Sequence, residues 1–188
     1  MNEKVFGQHN EEIAKIRQEI SNVREKYSRN ALEIVSDHNR ENATRNDYKQ
    51  RQISELLQNA DDCFLNDGER NIHVKFLIRD GCFIALNDGR PFDSRGIALL
   101  MHADASSKYF NTIGCKGLGF RSVLNWSTDI LICTQDFNVR FSESQAKELF
   151  KEYREKSDGP YSADLSRIQR TAILTSAEVD NDQETKAQ

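Results

Sequence analysis

The chain of 188 residues is long enough for one domain and short for two. Lys plus Arg total 26 against 30 for Asp plus Glu, a net charge of −4, so no basic excess marks a nucleic-acid partner. No apolar run approaches the ~18–20 residues of a membrane helix, and residues 1–8 lack a signal-peptide stretch, so the cytoplasm is the expected compartment and no membrane is indicated.

Cys63, Cys82, Cys115 and Cys133 lie far apart with no C-x-x-C pair, and read as free thiols. Residues 11–40 read as helix, with Ile13, Ile16, Ile20, Val23 and Tyr27 forming a narrow apolar stripe. That stripe predicts packing on the chain's own domain or on a partner helix. Asn46 and Asp47 are expected caps of a second helix running to Leu65, stopped by Asn66-Asp67-Gly68.

Residues 71–79 alternate, Asp80-Gly81 is a tight-turn dipeptide, and 82–86 is apolar; together they predict a β-hairpin. Residues 87–92 are a polar loop. Asp93 or Ser94 caps a short helix to His102, and 103–115 is a small, polar, irregular loop. A short helix over 119–126 precedes a second hairpin, 129–134 with 137–141, and a charged helix over 142–156. Residues 170–174 suggest one more strand, and 176–188 a polar disordered tail. The pattern predicts an α+β chain built as a two-layer α/β sandwich: one mixed, mostly antiparallel sheet with helices on one face.

Three segments carry chemistry. In residues 51–64, Ile53, Leu56, Leu57, Ala60, Cys63 and Phe64 share one helix face. Glu55, Asn59 and Asp62 share the opposite one. An amide oxygen can ligate Mg²⁺ and a carboxylate can take a proton from water; the alternative is a solvated helix face. Asn87-Asp88-Gly89 follows a strand. It reads either as a turn or as a carboxylate and amide set against an adenine edge, with Gly89 allowing close approach. Gly114, Gly117 and Gly119 form G-x-x-G-x-G ahead of Phe120 and a helix, flanked by Lys108, Lys116 and Arg121. Such a loop can turn successive N–H groups toward an anion, but it matches neither the Rossmann nor the P-loop spacing.

The order and spacing of these segments resemble the GHKL (Bergerat-fold) ATPases. The closer resemblance, over residues 30–142, is to the sacsin and No Vein-like branch. It rests on Asp47-Tyr48 with Arg51, E-L-L-Q-N-A-D-D, N-D-G-R-P-F, Ser106-Ser107-Lys108 and I-G-C-K-G-L-G-F-R-S-V. The resemblance implies ATP and Mg²⁺ as cofactors, Glu55 as the water-activating base and Asn59 as the metal ligand. Asp62 would support the nucleotide end, and Asn87 or Asp88 would meet the adenine. Gly114, Gly117 and Gly119 would shape the lid, with Lys108 and Arg121 toward phosphate. Asn87 stands where the family has Asp, and Pro91 where it has a second Gly.

It further implies slow Mg²⁺-dependent ATP hydrolysis, with lid closure signalling to a partner protein or downstream effector subunit, and room for an oligomer. The alternative is a non-hydrolysing interaction module that recruits a partner through its N-terminal helix. The expected organisation is a helical extension over 1–29, the nucleotide-binding domain over 30–175 and the tail over 176–188. The sheet is either truncated at its C-terminal end or that of a short stand-alone module.

Overall fold

The computed structural model describes residues 2–62, 73–102, 119–155 and 162–180. The N-terminal helical stretch breaks into α1 (Asn2–Arg29) and α2 (Leu32–Asp47). Asn30 makes the break: its side-chain oxygen accepts from the Leu32 N–H at 3.1 Å, satisfying a donor at the new helix start. Asn46 and Asp47 do not cap the next helix; they end α2. The Tyr48 N–H returns to the Thr44 carbonyl at 3.1 Å, and Gln50 adopts a left-handed φ of 65°. That conformation costs a non-glycine residue about 1–2 kcal/mol. The turn delivers the chain into α3 (Gln52–Asp62).

Strands β1 (Val74–Arg79) and β2 (Cys82–Asn87) pair antiparallel from Val74↔Asn87 to Arg79↔Cys82. Asp80 and Gly81 both take positive φ, 51° and 75°, as a two-residue hairpin turn requires. Helix α4 (Ser94–Met101) starts on Asp93, whose Oδ1 accepts from the Gly96 N–H at 2.7 Å. Helix α1 brackets it. Glu12 accepts from the Ser94 N–H at 2.7 Å, and Glu19 meets the His102 ring at 2.5 Å. The two glutamates stand about 10 Å apart along α1, close to the length of α4, so the helices run side by side in one direction. The Ser94 N–H holds the Glu12 carboxyl below its ordinary range.

Gly119 and Phe120 are helical and lead into a 3₁₀ turn over Arg121–Asn125. Strands β3 (Asp129–Cys133) and β4 (Asn138–Ser142) form the second hairpin, closed by Thr134, whose hydroxyl accepts from the Asp136 and Phe137 N–H groups. Ser142 then caps α5 (Glu143–Arg154) by accepting from the Gln145 N–H. Helix α6 (Ser162–Leu165) follows.

Residues 170–174 are not a strand. They run fully buried into a 3₁₀ turn at Ile173–Thr175. The next strand, β5 (Ala177–Asp180), falls in the stretch whose composition suggested a tail. Ala177 lies opposite Phe141 and Val179 opposite Val139, while Glu178 faces out beside Arg140. Averaged polarity hides so short an alternation. Residues 181–188 lie outside the described residues.

The architecture is mixed α+β with antiparallel sheets. In the three-stranded sheet β3-β4-β5, Ile130, Ile132, Val139, Phe141, Ala177 and Val179 join the core formed with Ile16, Val23, Ile97, Leu100 and Phe150. Leu131, Arg140 and Glu178 are on the other, wetter face, so among the described residues the helices cover the first face. Instead of one sheet, the described residues form two. The β1-β2 ladder closes on itself, and Phe83 meets Trp126 across a ring-centroid distance of 5.0 Å. Helix α1 packs into the common core, where Ile16, Val23 and Tyr27 are at most 2% exposed, so its apolar stripe is covered by the chain's own residues.

Two acids of α2 are buried in that core. Glu41, 1% exposed, accepts from Arg170 Nη1 at 2.9 Å and from the Leu174 N–H at 3.1 Å. Asp37 accepts from Lys26 at 2.8 Å and from the Tyr27 hydroxyl at 2.9 Å; that same hydroxyl lies 2.9 Å from Thr175 Oγ1. Removing one partner of a buried, hydrogen-bonded pair leaves a bare charge, at about 3–5 kcal/mol. Glu41→Ala is expected to lower the unfolding free energy in urea by about that amount, and a loss below about 1 kcal/mol would contradict the assignment.

His38 lies beside both acids. Burial first, and the Arg170 guanidinium second, hold its imidazole below the ordinary 6.5. Its folded value lies below its unfolded value, so stability is complete above about pH 7 and declines as pH falls toward the folded value. His38→Gln is expected to flatten that decline in thermal melts stepped through pH; an unchanged decline would assign it to another group.

Candidate functional site

The buried face of α3 runs through its polar residues. Gln52 and Glu55 are only 4% and 7% exposed, Ala60 is buried, Leu56 touches the core, and Asn59 is half-buried. Ile53 and Leu57, expected on the packed face with Leu56 and Ala60, are instead exposed. The burying stripe keeps helical spacing, but tertiary contact with residues 119–120 rotates it away from the direction of greatest apolarity. Glu55 is therefore not on a solvated face.

What Glu55 faces is Gly119. A Cβ built on Gly119 would lie 1.8 Å from Glu55 Oε2 and 2.7 Å from its Cδ, so the carboxylate occupies the space any other residue's side chain would fill. The other oxygen, Oε1, has Arg51 Nη2 at 2.9 Å. That approach is close in distance but off the line of a hydrogen bond, and Oε1 is buried without a directed donor. Arg51 in turn lies over the Tyr48 ring, 5.1 Å from its centroid.

Gly119 is held from several sides. Phe120 is buried and meets Phe92 edge to face at 6.1 Å. Phe92 lies under the first turn of α4, where a Cβ on Gly96 would come within 2.8 Å of its ring. Arg121 is buried, and its Nη2 donates to the Leu100 carbonyl at 3.0 Å near the end of α4. That contact satisfies a carbonyl in the last turn of α4. Arg45 donates to the Leu124 carbonyl at 2.7 Å, and Asn125 donates to the Arg45 carbonyl at 2.9 Å, tying the 3₁₀ turn to α2.

The second segment has turn geometry. Asn87 Oδ1 accepts from the Gly89 N–H at 3.1 Å. Asp88 is exposed and accepts from the His73 N–H at 2.9 Å and from its ring at 2.8 Å, which together hold its carboxyl below the ordinary range. Both contacts close the open end of the first hairpin. Phe92, further along the same loop, is what reaches the Gly119 region. The structure thus brings Glu55 and Gly119 into contact, with Asn59 one turn along α3 and Phe120 beside them, while Asn87, Asp88 and Gly89 bond within the first hairpin and its loop. Lys108, Gly114, Lys116, Gly117 and the side chain of Asp62 lie outside the described residues.

Tyr48 and Arg51, quoted with the resemblance but given no role there, stand beside Glu55. The signal for this was present in Arg51, which stands four residues before Glu55, a spacing at which helical side chains meet. Among the described residues no group of three or more His, Cys, Asp or Glu could hold a metal ion, and no helix is long and apolar enough to cross a membrane. No family model, curated protein or solved structure matches the chain.

The Glu55–Gly119 contact yields a double-mutant test. The atoms a new Cβ would strike belong to the flexible end of Glu55. Gly119→Ala is therefore expected to push the carboxylate out at about 1 kcal/mol or somewhat more, not to unfold the chain. In a Glu55→Ala background the same change is expected to cost almost nothing, and equal costs in both backgrounds would refute the contact.

Proposed function

We propose that the chain is a GHKL-type nucleotide-binding module that takes ATP with Mg²⁺ where α3 meets Gly119. The observation that carries this reading is the buried Glu55 carboxylate lodged against Gly119. It joins two motifs distant in sequence, each of which the resemblance assigns to one pocket. Burying a carboxylate with an oxygen lacking a directed donor is costly, and such a group in a native structure calls for an explanation, a catalytic role being one.

The residues fit a magnesium-bound phosphate. Asn59 offers a hard amide oxygen one turn beyond Glu55, and would hold the ion; the ion, when bound, would neutralise phosphate charge. Glu55 would take the proton of the attacking water. Gly114, Gly117 and Gly119 would shape the phosphate cradle, with Lys108 and Lys116 beside it. At the base end the fit is poorer. Asn87, Asp88 and Gly89 would have to exchange their hairpin bonds for adenine, and Arg121 its Leu100 bond for phosphate. A mixed α+β chain with antiparallel sheets is compatible with a Bergerat sandwich. In this reading hydrolysis is slow and lid movement signals to a partner protein or effector subunit. The alternative, recruitment through the N-terminal stripe, is disfavoured because Ile16, Val23 and Tyr27 are already covered by the chain's own core.

Calorimetric titration with Mg²⁺–ATP tests the proposal. Wild type is expected to bind, Asn59→Ala to lose about tenfold or more in affinity together with its Mg²⁺ dependence, and Glu55→Ala to bind without turnover. Absence of wild-type binding at millimolar ATP would falsify the reading.

A further inference from the structure

The ion pair beside Gly119 is unequal. The Glu55 side chain is 9% exposed and that of Arg51 57%. An ordinary i,i+4 pair on a helix has both ends in water and contributes a few tenths of a kcal/mol. Here the acid is fixed in the interior and only the cation is wet. The contact is also incomplete: Arg51 Nη2 approaches one oxygen at 2.9 Å, and that oxygen takes no directed hydrogen bond. The two parallel bonds that make an arginine–carboxylate fork strong are not formed. A guanidinium has five N–H donors, and the other contact the described residues give this one is the face of Tyr48. Tyr48 sits at the end of α2 and is brought under Arg51 by the turn through left-handed Gln50.

From this asymmetry we infer that Arg51 is a phosphate-binding residue held in reserve by Glu55. It turns from the carboxylate to the terminal phosphate when a nucleoside triphosphate enters, and in leaving uncovers the Glu55 oxygen. The inference rests on the nucleotide reading above and deepens it, since it supplies from within this chain a cation for the terminal phosphate. A terminal phosphate carries more charge than one carboxylate and accepts the planar fork in full. The exchange needs only rotation of an exposed side chain, with Tyr48 as its rest and no backbone rearrangement.

The test is titration of Mg²⁺–ATP and Mg²⁺–ADP into wild type, Arg51→Ala, Arg51→Lys, Glu55→Gln and the double variant Glu55→Gln/Arg51→Ala. Arg51→Ala is expected to weaken ATP by about tenfold while leaving ADP nearly unchanged, and Arg51→Lys to recover part of the loss. Glu55→Gln, which frees the guanidinium, is expected to tighten ATP severalfold, and the gain to vanish in the double variant. Equal ATP affinity in wild type and Arg51→Ala, or equal losses for ATP and ADP, overturns the inference and leaves the nucleotide reading standing. No binding of either nucleotide by wild type overturns both. If Arg51→Ala does not fold, the Glu55→Gln arm decides: unchanged ATP affinity overturns the inference.

Discussion

The structure depends on Glu41. Its carboxylate is taken out of water on helix α2, and a buried charge is tolerable only when its oxygens are matched. One oxygen is met by Arg170 and the other by the Leu174 main chain, both from the far end of the sequence. The acid therefore requires the C-terminal segment to lie against α2, and Arg170, itself buried, requires the acid. Asp37, one turn earlier, repeats the arrangement through Tyr27 and Thr175 and draws α1 into it. With this segment pinned, β5 follows directly and adds its edge to β4.

The same helix sets the candidate site. Beyond Glu41, Arg45 exchanges hydrogen bonds with the 3₁₀ turn that begins just after Gly119 and Phe120. Beyond Arg45, α2 ends at the Tyr48–Gln50 turn that aims α3. Both partners of the Glu55–Gly119 contact are thus referenced to one rigid element, which is how a buried carboxylate can be held to a fraction of an ångström. Arg51 sits at the joint between the two helices, where the helical frame ends and a long side chain has freedom to swing.

Local chemistry was the legible part of the fold. Asp80-Gly81 announces its turn, Asp93 and Ser142 announce their helices, and the Thr134–Phe137 turn lies between two readable strands. Each of these depends on a few neighbouring residues. What could not be read depends on partners more than a hundred residues apart, such as Glu41 with Arg170. The inward face of α3 is of this kind too: its amphipathic pattern favours Ile53 and Leu57, and only contact with Gly119–Phe120 reverses the choice. Strand β5 was hidden because two inward residues do not lift the average of a polar stretch. At the site, Glu55, Asn59 and Gly119 were legible as separate motifs, but their contact is tertiary. At Asn87 and Asp88 the two readings open in the sequence were a turn and an adenine contact, and the geometry found is that of the turn.

The seam between the two sheets has an optical consequence. Trp126 is the chain's one tryptophan, it is half exposed, and it packs on Phe83 of the first hairpin. Its indole emission therefore reports on the docking of that hairpin beside the 3₁₀ turn. Far-ultraviolet dichroism is dominated by the long helices α1 and α2. The two signals weight different elements, so the separation of their unfolding midpoints measures how strongly the hairpin and the helices act as one cooperative unit.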